Sequence, residues 1–463
     1  MADFPQAPSY RPDPAILKLG ETFYDPVTAA DFPQTRLRFR NDRAAAEIGL
    51  DQLDDAAWLR HFARFEPLPG NLPQPLALRY HGHQFRVYNP EIGDGRGFTF
   101  AQMRRGDGAL LELGTKGSGQ TPYSRFGDGR LTLKGGVREV LATEMLEALG
   151  VETSRSFSLI ETGEALQRND EPSPTRSAVL VRMSRSHIRI GTFQRLAYFS
   201  DAASMRRLVD WCLAELFGVE PAANPVAQFF GLVVERTARL AASYMAAGFV
   251  HGVLNTDNIN VTGESFDYGP WRFAPSFDPA FTAAYFDHAG LYAFSRQPDA
   301  ILWNCAQLAV SLRLISEAPP LIERLEQFEQ HYREAYPPPL LRRLGLRMRD
   351  GEAGWRLKDA IDEALIATQW SIDRFFFDAF GGALPASYGA EWDGVRDALA
   401  EHDPVPQGRS HPYFAGGEPC SMLIDEVEAI WSAIDRDDDW RPFNTKIAAI
   451  RQMGGALDTG KVE

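Results

Sequence analysis

Near residue 200 the periodicity of this chain changes, and that change limits its possible folds more than any other feature. From about Leu76 to Gly191 the apolar residues fall in short β-type runs, Phe98–Met103 (FTFAQM), Ala109–Thr115 (ALLELGT) and Ala178–Met183 (AVLVRM), separated by Gly-rich turns. One helix interrupts them, predicted over Val137–Leu149 from its helical apolar spacing and stopped by Gly150. From Asp201 onward the spacing predicts long helices instead: DAASMRRLVDWCLAELF, FFGLVVERTARLAASYMAAG, ILWNCAQLAVSLRLI and IERLEQFEQHYREAY. The expected fold is α+β, a small β-rich part followed by a larger helical one.

Four segments follow from this texture. Residues 1–75 form an extension ending in the Pro-rich EPLPGNLPQP, 76–195 the β-rich part and 196–400 the helical part. A break at HDPVPQGRSHP sets off 401–463, which carries the helix MLIDEVEAIWSAI and the acidic cluster DRDDDW. Between the second and third long helices lies His251–Tyr292, an irregular stretch rich in Asn, Asp, Gly and aromatics. It is too long for an idle connection in a compact domain, and functional loops are drawn from such segments.

Composition excludes several classes. With 44% hydrophobic and 24% charged residues over 463 positions, the chain is not disordered as a whole. No run of about 18 apolar residues could span a bilayer, and the opening MADFPQAPSYRPDP lacks the basic start and apolar core of a signal peptide. A cytoplasmic address without membrane contact is expected. Three widely spaced cysteines, Cys212, Cys305 and Cys420, make neither a disulfide framework nor a Cys-based zinc site. A net charge of −14 disfavours nucleic acid as a partner. Residues 101–190, however, hold 13 Lys or Arg against 11 Asp or Glu, a locally cationic region that suits a small anionic ligand.

The sharpest chemical signal is His251–Asn258, HGVLNTDN, followed by Asp267-Tyr268-Gly269. Small-molecule kinases of the aminoglycoside type carry H-G-D-x-x-x-x-N and then D-F-G at this spacing. On that template Asn258 and Asp267 are the metal ligands, hard oxygens suited to Mg²⁺ on nucleotide phosphates. The position of the kinase base is Val253, which can neither accept a proton nor orient a hydroxyl. The bland reading is that Asn255, Asp257 and Asn258 build Asx turns. In the β-rich part, IGDGRG (92–97) and LGTKGSGQTPYSRFGDGR (113–130) offer glycines for close approach to phosphate, with two hairpin turns as the alternative. Lys116 at a strand end and Glu139 in the next helix resemble the Lys–Glu pair of kinases. Arg182, Arg185 and Arg189 form a further cationic set, with surface arginines as the alternative; strand alternation puts Arg182 on the face opposite Val179, Val181 and Met183. His81 and His83 lack a third metal ligand at a recognisable spacing and read as structural turn residues.

The set YHGHQF, IGDGRG, TKGSGQTPYSRFGDGR, VREVL, SHIRIGTF, GFVHGVLNTDNINVTGESFDYGP, Phe286-Asp287-His288 and LWNCAQLA, in that order over about Leu76–Leu312, closely resembles the selenoprotein O family, the YdiU-type proteins. The resemblance implies a protein adenylyltransferase on a bilobal pseudokinase fold. In that family ATP is bound inverted, and AMP moves to Ser, Thr or Tyr hydroxyls of other proteins with Mg²⁺ or Mn²⁺. Carried over by position, it implies ATP contacts from Gly93, Gly95, Arg96, Lys116, Asp128, Gly129, Arg182 and Arg189. It further implies metal ligation by Asn258 and Asp267, a base role for Asp257, and Glu139 as the partner of Lys116. The other reading is a catalytically silent ATP-binding scaffold, to which an acid beside the metal would be of no use. The chain departs from the family pattern at Arg86, where Gly is usual, at Gln120, where Arg is usual, and at Gly135-Gly136, where Ser-Ser is usual. It ends in GGALDTGKVE rather than a Cys-x-x-Cys or Cys-x-x-selenocysteine element, so redox control through a terminal pair is not expected.

Overall fold

The structure is a computed structural model that describes residues 9–169, 171–406 and 408–458. Its first part is built on an eight-stranded sheet. The strands are β1 (Tyr24–Pro26), β2 (Arg36–Arg40), β3 (Leu76–Leu78), β6 (Thr99–Arg104), β7 (Leu110–Lys116), β8 (Leu131–Thr132), β9 (Arg155–Leu166) and β10 (Thr175–Ser184). Between β3 and β6 a separate hairpin is formed by β4 (Gly82–Gln84) and β5 (Val87–Asn89). The main order is β1-β3-β6-β7-β10-β9-β2, with β8 pairing β10, and every pair is antiparallel.

Both faces of this sheet are covered, which explains why the seven residues of β7 are all buried. On one face Leu131, Leu159 and Leu180 pack with Val137, Leu141 and Met145 of α3 (Leu133–Ala148). On the other, Val179, Val181 and Met183 join Phe100, Phe157, Trp58 and Phe62. Trp58 and Phe62 lie on α2 (Asp55–Phe62), which follows α1 (Asp42–Glu47). Trp58 stacks on Phe157 at 4.8 Å and donates to Ser158 Oγ at 2.9 Å. Residues ahead of Leu76 therefore supply both edge strands and the cover of one face.

The second part is helical, as the periodicity predicts. It comprises α4 (Ile190–Tyr198), α5 (Ala202–Trp211), α6 (Pro225–Ala247), α7 (Gln297–Leu312), α8 (Ala318–Glu326), α9 (Phe328–Ala335), α10 (Pro337–Leu344), α11 (Gly351–Thr368), α12 (Ile372–Ala379) and α13 (Asp393–Leu399). α6 starts at an Asn224 cap with Pro225 in its first turn and stops at Gly248 in the left-handed region, φ 69°. Two tail helices, α14 (Ile424–Asp437) and α15 (Arg441–Leu457), return to the first part, where Arg451 pairs with Glu144 of α3 at 2.7 Å. The α+β arrangement of a sheet part followed by a helical part is present as expected. Among the described residues, no helix is long and apolar enough to cross a membrane.

The α3 helix begins four residues earlier than its apolar spacing predicts, because Thr132 caps it by accepting from the Gly135 N–H at 3.1 Å. Two glycines thereby enter its first turns, at some cost in helix propensity. Gly136 is required by packing: a Cβ there would lie 2.4 Å from Leu159 Cδ1, a fully buried methyl. Gly136→Ser is therefore expected to destabilise this chain by about 1–3 kcal/mol through overpacking. Thermal melting checks it, and a variant as stable as the parent contradicts the packing account.

Candidate active site

The Gly-rich loops and the irregular helical-part loop meet at one cleft of about 710 Å³. Its walls include Gly93, Gly95, Arg96, Lys116, Asp128, Gly129, Arg182, Arg189, Asp257 and Asp267. Glu139 stands behind the wall and Asn258 beside Asp257; neither lines the cleft itself. The two glycine clusters are packed on each other. A Cβ at Gly93 would lie 2.5 Å from the Tyr123 ring, and Gly129, at φ 70°, sits where a Cβ would be 2.3 Å from the Gly119 backbone. Thr121 and Ser124 hydroxyls donate to the carbonyls of Asp94 and Gly95, and Gln120 donates to the Gly127 carbonyl at 2.8 Å. Asp128 is held at the rim by Arg168 at 2.8 Å, and Arg96 is exposed.

At the floor, three buried cations converge on one carboxylate. Lys116 Nζ lies 2.6 Å from Glu139 Oε2 and 2.8 Å from Asp267 Oδ1. Arg182 Nη1 reaches Glu139 Oε1 at 3.2 Å and Asp267 Oδ1 at 3.3 Å. Arg189 reaches Asp94 Oδ1 at 3.1 Å, Asp267 Oδ2 at 3.6 Å and the Asp257 carbonyl at 2.9 Å. Asp267 adopts φ 65°, a left-handed backbone that an Asp tolerates better than most residues. Burial pushes its carboxyl upward, but Lys116, Arg182 and Arg189 outweigh that and hold it well below the ordinary carboxylate range. The β10 alternation predicted for Arg182 is present: Leu180 shares its face with α3, while Val179, Val181 and Met183 pack on the opposite side. Arg185 does not line the cleft, and its backbone N–H donates to Glu264 at 2.8 Å.

The loop after α6 supplies the other wall. His251 is fully buried, bonded through Nε2 to the Phe266 carbonyl at 2.9 Å and accepting at Nδ1 from the Val253 N–H at 3.4 Å. It fixes the loop and does not line the cleft. Asp257 is buried, and its Oδ1 has no hydrogen-bond partner. Burial pushes this carboxyl up to about 6, against the pull of Arg189. Asn258 Nδ2 donates to the Val253 carbonyl at 3.0 Å, leaving its side-chain oxygen for a cation.

Two of these donors fit a hard divalent ion, the ionised Asp267 and the Asn258 oxygen. Among the described residues no group of three or more His, Cys, Asp or Glu could hold a metal alone, so phosphate oxygens and water would complete the shell, the usual arrangement for Mg²⁺ with a nucleotide. His81 and His83 are structural, but not in a turn: His81 precedes β4 and His83 lies within it, and their Nδ1 atoms contact Tyr88 Oη at 2.8 Å and Gln194 Nε2 at 2.7 Å. Sequence reasoning missed Asp94, Gln84 and Tyr80, which also line the cleft. Asp94 stands inside IGDGRG but reads there as half of a turn dipeptide, whereas Gln84 and Tyr80 carry no signal of their own.

Comparisons with known proteins converge on one family. Residues 8–386 match the family described as protein adenylyltransferase SelO. A protein nucleotidyltransferase YdiU of Synechocystis sp. is 44% identical over 95% of this chain and 97% of its own length. Its counterpart from Gloeobacter violaceus is 46% identical over 95% of both chains, and that from Synechococcus elongatus 44% over 96% of both. Among solved structures, a Toxoplasma gondii rhoptry antigen kinase domain aligns over 58% of this chain and 78% of its own, with 14% identity and a TM-score of 0.29, too remote to add to the fold argument. With the Lys116–Glu139 pair, Asp267 and the His251–Asn258 loop assembled around one cleft, and a family match over most of its length, the chain belongs to the protein adenylyltransferase SelO family.

Proposed function

We propose that this chain transfers AMP from ATP to Ser, Thr or Tyr hydroxyls of proteins. One observation carries the reading: Asp257 keeps a buried, unpartnered carboxylate oxygen in the wall of the charged cleft, while the kinase base position is Val253. Leaving such an atom unsatisfied costs about 1–3 kcal/mol. A nucleotide-binding scaffold has no use for that expense, whereas a proton acceptor needs a carboxyl oxygen free for its proton.

In this reading residues 76–195 supply the phosphate-binding wall and 196–400 the wall with the base. Lys116, Arg182 and Arg189 neutralise the triphosphate as charge-assisted donors, and Glu139 fixes Lys116. Gly93, Gly95 and Gly129 keep the loop backbones close to the nucleotide, with Arg96 and Asp128 at the rim. Asn258 and Asp267 hold Mg²⁺ or Mn²⁺, which when bound offsets negative charge on the phosphates. The acceptor hydroxyl oxygen forms a bond to the α-phosphorus, the bond from that phosphorus to the β-bridging oxygen breaks, and pyrophosphate leaves with that electron pair. The Asp257 carboxylate receives the hydroxyl proton. The nucleotide must therefore lie with its α-phosphate toward Asp257, the inverted placement implied by the family resemblance.

Two substitutions separate the roles. Loss of a general base costs about 10²–10⁴ in rate, so Asp257→Ala is expected to bind ATP as the parent does while transfer of α-phosphate label to protein falls by that factor. Parental transfer by this variant contradicts the assignment. Asp267→Ala is expected to lose the enhancement of ATP binding and turnover by Mg²⁺. Its metal-free ATP affinity should be equal or higher, because a carboxylate that competes with phosphate for three cations is gone. Calorimetric titration with and without Mg²⁺ checks both, and undiminished Mg²⁺-dependent activity contradicts the metal assignment.

A further inference from the structure

A short hairpin that the chemistry above does not use grips the loop carrying Asp257. β4 and β5 pair Gly82 with Asn89, His83 with Tyr88 and Gln84 with Val87, and they dock on the loop residue by residue. The His83 N–H donates to Thr256 Oγ1 at 2.7 Å, and that hydroxyl donates in turn to Gln194 Oε1 at 2.7 Å. The Phe85 N–H donates to Asn255 Oδ1 at 2.9 Å, which also accepts from Tyr292 Oη at 2.8 Å. Gln84 stands in the cleft wall with its amide nitrogen 3.4 Å from Asp257 Oδ2. Asn89 Nδ2 donates to the Gln84 amide oxygen at 3.1 Å, which turns the donor end of that amide to the carboxylate. On the other side of the carboxylate is Gly82, where a Cβ would lie 3.0 Å from both Asp257 Cβ and Oδ1. Gly82 is not in the left-handed region, so packing and not backbone conformation is what a side chain there would disturb.

We propose that Gln84 and Gly82 are positioning residues for Asp257: Gln84 anchors Oδ2, and the absent side chain at Gly82 leaves the room that lets the carboxylate keep that orientation. The proposal rests on the reading of Asp257 as the proton acceptor. The last torsion of an Asp side chain is broad, so a carboxylate without an anchor samples many orientations. A misplacement of about 1 Å at a reacting group can cost 10²-fold in rate. Neither residue is placed against the triphosphate in this scheme, so substrate affinity should be left as it was.

The test uses the full chain with α-labelled ATP, Mg²⁺, and the chain itself and casein as acceptors. Gln84→Leu and Gly82→Ala are each expected to lower kcat about 10- to 100-fold, with KM for ATP and the melting temperature near those of the parent. Added to Asp257→Ala, Gln84→Leu should lower the residual rate no further, since its effect acts through the missing carboxylate. If Asp257→Ala loses transfer while both variants keep the parental kcat, or lose rate only through KM, the positioning roles are overturned and the base assignment stands. If Asp257→Ala itself transfers at the parental rate, the base assignment falls first. A variant that melts early is judged by the other of the pair, since the two act on opposite sides of one carboxylate.

Discussion

Asp267 is the point on which the site depends, because Lys116, Arg182 and Arg189 are all buried and all turn toward it. Buried charges are tolerated only when paired, and removing one partner leaves the others uncompensated. Glu139 and Asp94 complete the balance, three carboxylates for three cations. The cations arrive from three different elements: the end of β7, the C-terminal part of β10 and the N-cap of α4. Sheet register, with Arg182 opposite Gly114, and the left-handed turn at Asp267 are thus conditions for the cluster. In the proposed reaction, phosphate oxygens would share these cations with the carboxylates that now satisfy them.

Against this charged floor the neighbouring wall differs in kind. Asp257 is buried without a cation on its side-chain oxygens, and its carboxyl sits near 6, whereas Asp267 is held far lower. Two carboxyls in one cleft, pushed apart by their surroundings, are what the proposed division between metal binding and proton transfer would require. The kinase base position, Val253, takes no part beyond its backbone, which holds His251 and Asn258. In the proposed reading the acid–base function lies four residues along, at Asp257.

Much of this was legible in the sequence where the chemistry is local. Asn258 and Asp267 stand out because loop motifs fix their spacing, and Lys116 with Glu139 because a strand end and the next helix must face each other. The change of periodicity located the two parts. Legibility fails where long-range packing decides. Arg36–Arg40 is too charged to read as a strand, yet it forms the sheet edge beside β9, and an edge strand needs no apolar run. Gln84 and Asp257 are 173 residues apart, and no spacing rule connects them. Arg86, where the family usually has Gly, adopts φ 63° with its guanidinium 5.3 Å from the Trp303 ring centroid. That left-handed backbone is invisible in the residue itself.

The account stands on which phosphate moves. The most direct measurement incubates the unaltered chain with Mg²⁺ and ATP labelled either at the α- or at the γ-phosphate, then follows the label in protein and in small products. The account predicts protein label from the α position alone, with pyrophosphate released. Protein label from the γ position, with ADP as the product, would contradict it, and so would an absence of transfer despite tight ATP binding.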